Sequence, residues 1–347
     1  MAAGTAPVLT QRQLNRALLA RQLLLERTPL RLPTALERMG GLQAQYAPSM
    51  YIGLWSRVEG FERDALTRAL ERRTVVQGTL MRSTIHLVSA RDYWPLSAAV
   101  RSGRQEWWLR TRREGPSARE IAAGARRLRR RLADGPLRAA EIDQLLGKPV
   151  ARAVGLWLEL VRVPPSGTWE RRRADLYAAA EEWLGPAEVT PKEGLDHLVR
   201  RYLGGFGPSS AREIAGFAGV PPTDIDPALD RLRLRRFRGE DGEELFDLPR
   251  APLPDPETPA PPRFLPVWDA TLLVHARRTG ILPEEHRARV FNPRTPHSVN
   301  TFLVDGAVAG TWRYERGRVP IEPFGRLDRA VRRQLDDEAE RLAALHR

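Results

Sequence analysis

The strongest constraint on the fold is a local pattern that recurs along the chain. Residues 136–142 read x-Leu-x-Ala-x-Glu-Ile, a pattern common in the opening helix of a helix-turn-helix, and the pattern returns loosely at residues 205–215. Each stretch precedes further helical spacing and then a β-rich segment. The first ninety residues follow the same order, with short helical patterns before a β-rich stretch at 75–88. Short helices followed by strands are the order of a winged helix-turn-helix unit. The repetition predicts a mainly α fold with β wings, built from tandem winged units.

These patterns divide the chain into four predicted parts. Residues 1–115 form a first winged unit with a long following helix, residues 116–190 a second unit and residues 191–250 a third. Residues 251–347 form an extension that contains a β-hairpin.

The finer predictions follow from apolar spacing and turn residues. The first part has a predicted long helix at 90–113, and the second part has predicted helices at 118–131 and 150–161. The wing of the second part has predicted strands at 163–169 and 175–177. The third unit has a predicted helix at 229–234 and a hairpin at 237–248. In the extension we predict a proline-rich linker, a strand at 264–269, strands at 300–304 and 307–314 joined by Asp305-Gly306, and a last helix at 326–346.

The charge of the chain is strongly positive. Lysine and arginine total 56 against 43 aspartates and glutamates, which gives a formal net charge of +13 and a pI near 11.0. All of the basic residues except Lys148 and Lys192 are arginines. A GC-rich genome also favours arginine, but guanidinium forks suit phosphates and guanine edges better than ammonium groups do. The charge therefore predicts a polyanionic partner.

Several classes of function are excluded by missing residue types. The chain has no cysteine, which excludes disulfides, thiolate zinc sites and a cysteine nucleophile. Its six histidines are scattered, and it has no phosphate-loop, Rossmann or Gly-x-Ser-x-Gly pattern. It has neither a signal peptide nor a membrane-spanning apolar run. We expect no cofactor, no metal and no membrane contact, and a soluble cytoplasmic protein.

A pair of glutamines, Gln43 and Gln45, lies between two helical patterns. Gly40-Gly41 precede the pair and Pro48 follows it, so a helix does not run through it. On an extended segment, side chains two residues apart point the same way, which would set two carboxamides side by side. Such a pair can hold and orient a water molecule, although an amide is not a strong base. The alternative is that both amides bond backbone groups at a helix end.

Other polar residues are candidates for contact with a nucleic acid. Arg82, Thr84 and His86 share one face of a predicted strand, where they either line a DNA cleft or form a structural hydrogen-bond network. Asp269 either stabilises positive charge or caps the next helix, and its position favours the cap. The extension carries further candidates, with a solvated surface as the alternative: Arg277, Arg278, Arg313, Arg316 and Arg318 for phosphates, and His297 and Ser298 for a groove.

Two non-catalytic functions also fit these features. A DNA-binding regulator is one, because helix-turn-helix units are far more often regulators than enzymes. Three units and a β extension are more than operator binding needs, however, and no ligand-sensing region remains once they are assigned. The other is a protein that shields DNA lesions or sequesters a drug without excising a base.

Four sequence blocks together resemble the AlkZ/YcaQ family of bacterial DNA glycosylases. They are Gln43-Ala44-Gln45, Leu-Met-Arg-Ser-Thr-Ile-His-Leu-Val at 80–88, Leu-Pro-Val-Trp-Asp at 265–269 and Phe-Leu-Val-Asp-Gly-Ala-Val-Ala-Gly-Thr-Trp-Arg at 302–313. The blocks occur in the family's order and the resemblance covers nearly the whole chain. The pattern of glutamine, apolar residue and glutamine is that of the AlkZ branch, whereas the YcaQ branch has aspartate at the position of Gln45.

The resemblance implies tandem winged helices in a C-shape around duplex DNA, and removal of N7-alkylated guanine. In the AlkZ branch it also implies unhooking of interstrand crosslinks made by bifunctional alkylating natural products, often as self-resistance. It implies Gln43 and Gln45 as the catalytic residues and double-stranded DNA carrying alkylated or crosslinked guanine as the partner. We further expect a monomer that acts at the nucleoid. No lysine lies in the four blocks, so the expected reaction is simple hydrolysis that leaves an abasic site.

Overall fold

The computed structural model describes residues 6–273, 280–291 and 298–347. As predicted, the fold is mainly helical with small sheets. In the described residues the helices are α1 (Gln11–Arg21), α2 (Leu32–Met39), α3 (Ala47–Trp55), α4 (Arg63–Glu71), α5 (Ala90–Thr111), α6 (Ala118–Leu132), α7 (Ala139–Leu146), α8 (Lys148–Val154), α9 (Ala180–Leu184), α10 (Pro191–Phe206), α11 (Ala211–Ala218), α12 (Pro222–Arg231), α13 (Ala270–Leu273), α14 (Arg287–Val290) and α15 (Arg329–His346). The strands are β1 (Val8–Leu9), β2 (Leu42–Gln43), β3 (Val75–Thr79), β4 (Ile85–Ser89), β5 (Leu137–Arg138), β6 (Leu160–Arg162), β7 (Leu176–Ala179), β8 (Arg235–Gly239), β9 (Glu244–Asp247), β10 (Arg263–Leu265), β11 (Thr301–Val304), β12 (Ala307–Trp312) and β13 (Ile321–Pro323).

Several helices begin at caps that are visible in the sequence. Thr10, Ser117, Thr190 and Ser210 each accept a hydrogen bond from the backbone N–H three residues on, and the glutamine or glutamate there reaches back to the cap. This reciprocal arrangement satisfies two backbone donors that a helix end otherwise leaves without partners. In the third predicted unit this places Ser210 as the cap of α11.

The strands form three sheets within the described residues. The largest has the order β2-β4-β3-β6-β7-β5, so the strands of the first predicted wing and the second join in one sheet. Gln77 and Gly78 of β3 pair there with Arg162 and Val161 of β6. A second sheet has the order β1-β8-β9, in which the N-terminal strand lies parallel to β8, and a third has the order β10-β11-β12-β13.

Two elements predicted for the second unit differ from the structure. The helix predicted at 150–161 ends at Val154, and Leu160–Arg162 is strand β6. The reason is tertiary, because this segment is extended by pairing with β3 on one side and β7 on the other. The two strands are therefore Leu160–Arg162 and Leu176–Ala179, and the whole stretch at 163–169 that we predicted as the first strand of a wing lies in the loop between them.

Two further predicted elements are shifted. The helix predicted at 229–234 is Pro222–Arg231, because a proline in the first turn starts it early and the backbone is already extended at Leu232. The strand predicted at 264–269 ends at Leu265, before Pro266, and Trp268 has a left-handed φ of 58°. By contrast, the predicted Asp305-Gly306 turn has positive φ at both residues, as a type I′ hairpin requires.

Helix α10 approaches its neighbours closely at two glycines. A Cβ added at Gly194 would lie 2.7 Å from the backbone of α5, and one at Gly205 would lie 2.4 Å from the carbonyl oxygen of Met39 at the end of α2. Backbones can pack this closely only where one side chain is missing. The contact fixes the end of α2, from which the chain turns toward the glutamine pair.

A buried ion pair joins α3 to the C-terminal extension. Arg57 donates to both carboxylate oxygens of Asp269 at 2.9 and 2.8 Å, and both side chains are almost fully buried. Arg57 also donates to the carbonyl oxygens of Gln22 and Gly53. Asp269 in turn accepts from the backbone N–H of Thr271 at the start of α13, which is the capping role expected for it.

Candidate active site

Gln43 lies on the edge strand β2 of the largest sheet, and Gln45 follows just beyond that strand. Gly40 and Gly41 both have left-handed φ, of 77° and 84°, and a Cβ on Gly41 would lie 2.9 Å from Val88. Only glycine adopts this conformation at little cost in such a space, so the two glycines turn the chain out of α2. Gln43 then pairs with His86 across the sheet. The extended backbone that we predicted for the pair is therefore present at Gln43, whereas Gln45 lies in a bend before α3.

Gln43 is half-buried and its amide is held by Arg82. The guanidinium donates from Nη2 to Oε1 of Gln43 over 3.1 Å and from Nη1 to the carbonyl oxygen of Phe217 over 2.8 Å. The guanidinium also lies over the Phe217 ring, 5.4 Å from its centroid. A charged donor on Oε1 selects one of the two orientations of the amide, since the flipped amide would set its NH₂ group against the guanidinium.

Gln45 is exposed and its amide is held by the neighbouring strand. The backbone N–H of Ile85 donates to Oε1 of Gln45 over 3.0 Å, while the backbone N–H of Ala44 donates to the carbonyl oxygen of Ile85 over 2.7 Å. The side chain of Gln45 thus takes the place of a strand partner at the first residue of β4. The sequence leaves open that both amides bond backbone groups. This holds for Gln45, whereas the amide of Gln43 is bonded by a side chain, that of Arg82.

Thr84 and His86 form a hydrogen-bond network beside the pair. Thr84 donates from Oγ1 to the carbonyl oxygen of Met81, and Nδ1 of His86 lies 3.1 Å from the carbonyl oxygen of Thr84. Because that oxygen only accepts, Nδ1 carries the proton. His86 is 2% exposed, and this burial, followed by the nearby charge of Arg82, lowers its pKa to about 3. The imidazole is therefore neutral near neutral pH and presents almost no surface to a DNA strand.

The candidates on the extension are distributed differently. Arg313, Arg316 and Arg318 are exposed, and Arg313 also donates to Glu315 over 3.1 Å. Ser298 is buried and accepts from the backbone N–H of Trp268 over 2.7 Å, so it supports the loop before α13. Arg277, Arg278 and His297 lie outside the described residues.

Two residues that contact Arg82 were not identified as part of the site from the sequence. Phe217 lies at the end of α11, and its carbonyl oxygen and ring both contact Arg82. Gly219, with φ of 78°, follows it, and a Cβ there would lie 3.0 Å from the backbone of Arg82. Gly219 as the stop of a helix is readable from sequence. Its contact with the site is not, because it depends on how α11 packs on the first part of the chain.

Neither a metal centre nor a membrane span occurs in the part of the chain that the structure describes. No group of three or more histidine, aspartate or glutamate side chains is arranged there to hold a metal ion. No described helix is both long and apolar enough to cross a bilayer.

Comparison with known proteins identifies the class of this chain as a DNA glycosylase. The sequence profile of the AlkZ-like DNA glycosylases matches residues 36–345, so the chain belongs to the AlkZ-like DNA glycosylase family. The DNA glycosylase AlkZ of Streptomyces sahachiroi has a similar structure, with a TM-score of 0.82 over 98% of this chain and 97% of that one. The two are 18% identical, so this likeness shows a shared fold. No curated protein sequence matches the chain.

Family membership confirms the resemblance drawn from the four sequence blocks. A DNA glycosylase binds DNA, which is a polyanionic partner of the kind that the net charge of +13 predicts.

Burial of neutral His86 predicts a pH-dependent stability. Its pKa is 6.5 in an unfolded chain and about 3 in the folded protein, so between these values only the unfolded chain takes up the proton. The free energy of unfolding should therefore fall as the pH falls below 6.5, by up to about 1.4 kcal/mol per pH unit from this residue. Urea unfolding of the wild type and of His86→Asn across this range measures the effect.

The variant should show a shallower dependence on pH than the wild type. Burial also lowers the pKa of His346, to about 4, which adds a contribution of the same sign to both proteins. The difference between the two slopes therefore isolates His86. Equal slopes would show that His86 is protonated or exposed in the folded chain.

Proposed function

We propose that this chain is a monofunctional DNA glycosylase that releases N7-alkylguanine from duplex DNA, with Gln43 and Gln45 positioning the hydrolytic water. The observation that carries the proposal is the pair of uncharged amides, each anchored through Oε1 on residues 82–85. Among the described residues, no carboxylate is hydrogen-bonded to either glutamine. A site of this kind orients a water molecule but supplies no strong acid or base.

The chemistry of the lesion matches such a site. Alkylation at N7 places a positive charge on guanine, so the base leaves as a neutral molecule and needs little help from an acid. The sugar becomes oxocarbenium-like, and catalysis then consists of placing a water on its far face and stabilising the developing charge. An uncharged base would instead call for a carboxylate or a strong acid. The amide pair therefore favours cationic lesions as the substrate.

The anchored amides can still accept from a water. A carboxamide oxygen has two lone pairs. Arg82 occupies one lone pair of the Gln43 oxygen, and the backbone N–H of Ile85 occupies one of the Gln45 oxygen. The remaining lone pairs can accept the two O–H groups of one water, whose own lone pair would then face the sugar carbon. In this proposal Arg82 and His86, first considered as DNA contacts, have supporting roles: Arg82 holds the amide of Gln43, and His86 is its strand partner. Buried Ser298 supports the loop before α13.

We also propose that the helices and small sheets form three winged units, at 1–115, 116–190 and 191–250, followed by the extension at 251–347. The order of α11, α12, β8 and β9 supports the third unit, since two short helices precede a hairpin. In this arrangement the concave face holds the duplex, and exposed Arg313 and Arg316 are candidates for contact with its phosphates. Thr84, which is only partly buried beside the glutamines, keeps its assignment as a cleft residue.

Interstrand crosslinks are a proposed substrate because the amides of Gln43 and Gln45 lie near the surface. A crosslinked base is tethered to the opposite strand, so it cannot be flipped into a closed pocket. Gln45 is exposed and Gln43 is half-buried, which is compatible with a lesion that stays within the duplex. The AlkZ branch implies the same substrate for the Gln-x-Gln pattern.

The proposal is tested with a duplex that carries one N7-methylguanine. We expect release of the free methylated base and an abasic site that alkali cleaves, at a rate well above the spontaneous loss of the base. A duplex with unmodified guanine at the same position is the matched control. A second duplex with an N7–N7 guanine crosslink should be converted to separable strands. No base release above the spontaneous rate would refute the glycosylase assignment.

A further inference from the structure

A concave surface lined by arginines lies between α2, α5, α10 and the loop after β9. It has a volume of about 860 Å³. The arginines that line it, here called the arginine depression, are Arg38, Arg91, Arg200, Arg201, Arg233 and Arg250. They come from five separate segments of the chain, so the concentration of charge arises from the fold.

Most of these guanidinium groups lack a protein partner. Arg201 is the exception, since it donates to Asp92 over 2.8 Å and forms an ion pair with Glu37. Asp92 is buried and also accepts from Nε2 of His197, which lines the depression. The other five arginines are exposed and form no hydrogen bond or ion pair with any residue that the structure describes.

Some exposed arginines elsewhere on this chain have acidic partners. Arg231 forms an ion pair with Asp196 and Arg236 one with Glu244, each over 2.6 Å. Five arginines gathered on one concave surface without such partners repel one another and attract anions. Guanidinium forks bind phosphates in a planar, two-point geometry. The surface is therefore suited to a phosphate-bearing ligand.

The size of the depression indicates an extended anion. A cavity of 860 Å³ is about 9 to 10 Å across if roughly equal in all directions. Consecutive phosphates of one DNA strand rise by about 3.4 Å along the helix axis but lie farther apart along the winding backbone, so the depression spans about two of them. One free phosphate would leave most of the arginines without a partner.

The chain connects the depression closely to the glutamine pair. His86 is the strand partner of Gln43, and Arg91 follows His86 by five residues, across the end of β4. At about 3.3 Å per extended residue, Arg91 lies at most roughly 16 Å from His86, or about five base pairs along a duplex. Arg38 lies in the last turn of α2, just before the glycines that lead to Gln43.

We propose that the arginine depression binds consecutive backbone phosphates of the same DNA, several base pairs to one side of the excised base. This rests on the proposed function for the identity of the ligand as duplex DNA. The depression would hold the duplex in position without contacting the reacting sugar, so it contributes to affinity and register rather than to the chemical step.

The test compares two variants that each lose three exposed arginines. The first variant loses three of the six arginines of the depression, through Arg38→Ala, Arg200→Ala and Arg250→Ala. The second loses the same charge at and before α15, through Arg326→Ala, Arg329→Ala and Arg333→Ala. Binding to an undamaged duplex is measured by fluorescence anisotropy over a range of salt concentrations. We expect the first variant to bind roughly 10- to 100-fold more weakly, with a salt slope reduced by about 2 to 3, and the second to change much less.

Duplexes shortened on one side of the lesion locate the contact. Shortening one flank should weaken binding by the wild type and have little effect on the depression variant, which has already lost those contacts. The single-turnover excision rate at saturating enzyme should be equal in the wild type and both variants. Because the binding assay needs no base release, it remains informative even if the glycosylase assignment fails.

Equal losses of affinity in the two variants would overturn the proposal, because they would reflect net charge alone. Unchanged DNA binding in both would also overturn it and leave an acidic protein as the alternative ligand. All six substituted side chains are exposed, and circular dichroism melting checks that each variant is folded.

Discussion

Gln43→Ala is expected to lower the single-turnover rate of N7-methylguanine release by about 10²- to 10³-fold, with DNA affinity almost unchanged. Gln43 is the more deeply placed of the two amides, and Arg82 fixes its orientation. Removing the amide leaves the water with one acceptor instead of two, so the water is no longer held on a line of attack. The effect belongs to the chemical step, because a neutral amide adds little to binding of a polyanion.

Three further variants separate this mechanism from a general loss of structure. Gln45→Ala should show a loss of similar size, since the second acceptor is equally needed. Arg82→Ala should lose less than Gln43→Ala, because the amide remains but is free to rotate. Gln144→Ala removes an exposed glutamine on α7, outside the site, and should keep the wild-type rate. Rates are measured with enzyme in excess over a duplex that carries the lesion.

A full rate in both Gln43→Ala and Gln45→Ala would refute water positioning by the pair. The chain would remain a glycosylase if base release persisted, and another group would have to hold the water. The outcome therefore tests the mechanism separately from the reaction.

The local part of this site was predictable from sequence, because local residues determine it. Gly40-Gly41 and Pro48 exclude a helix across the glutamines, and Gln43 accordingly lies in a strand. The capping boxes of α1, α6, α10 and α11 depend on contacts of the same short range. In each case the deciding contact spans a few positions along the chain.

The tertiary part of the site was not predictable. Arg82 was placed on a strand face with Thr84 and His86, but it has a left-handed φ of 53° and turns toward Phe217, 135 residues away. The burial of His86 likewise depends on how α11 covers the strand, which apolar spacing alone does not reveal. The helix predicted at 150–161 was wrong for a related reason, because pairing with β3 overrides local helical spacing at Leu160–Arg162.

Asp269→Ala is expected to destabilise the protein by about 3 to 5 kcal/mol, the largest stability effect that we predict for one substitution. Asp269 accepts two hydrogen bonds from Arg57, and the side chains of the two residues are 1% and 0% exposed. Without the carboxylate, the guanidinium stays buried with its charge uncompensated. The pair also joins the end of α3 to the C-terminal extension, so its loss should loosen the support behind the glutamine turn.

The double variant Arg57→Met with Asp269→Leu distinguishes the buried charge from the ion pair itself. Replacing both partners removes the uncompensated charge, so the double variant should be markedly more stable than Asp269→Ala. It should remain below the wild type, because the carbonyl oxygens of Gln22 and Gly53 and the backbone N–H of Thr271 lose a partner. Arg332→Ala is the surface control, because its pair with Asp336 on α15 is half-exposed and should contribute less than about 1 kcal/mol. Urea midpoints at neutral pH measure all of these proteins. If Asp269→Ala shifts the midpoint no more than Arg332→Ala does, then water reaches Arg57 in solution, and the extension is not fixed to α3 by this contact.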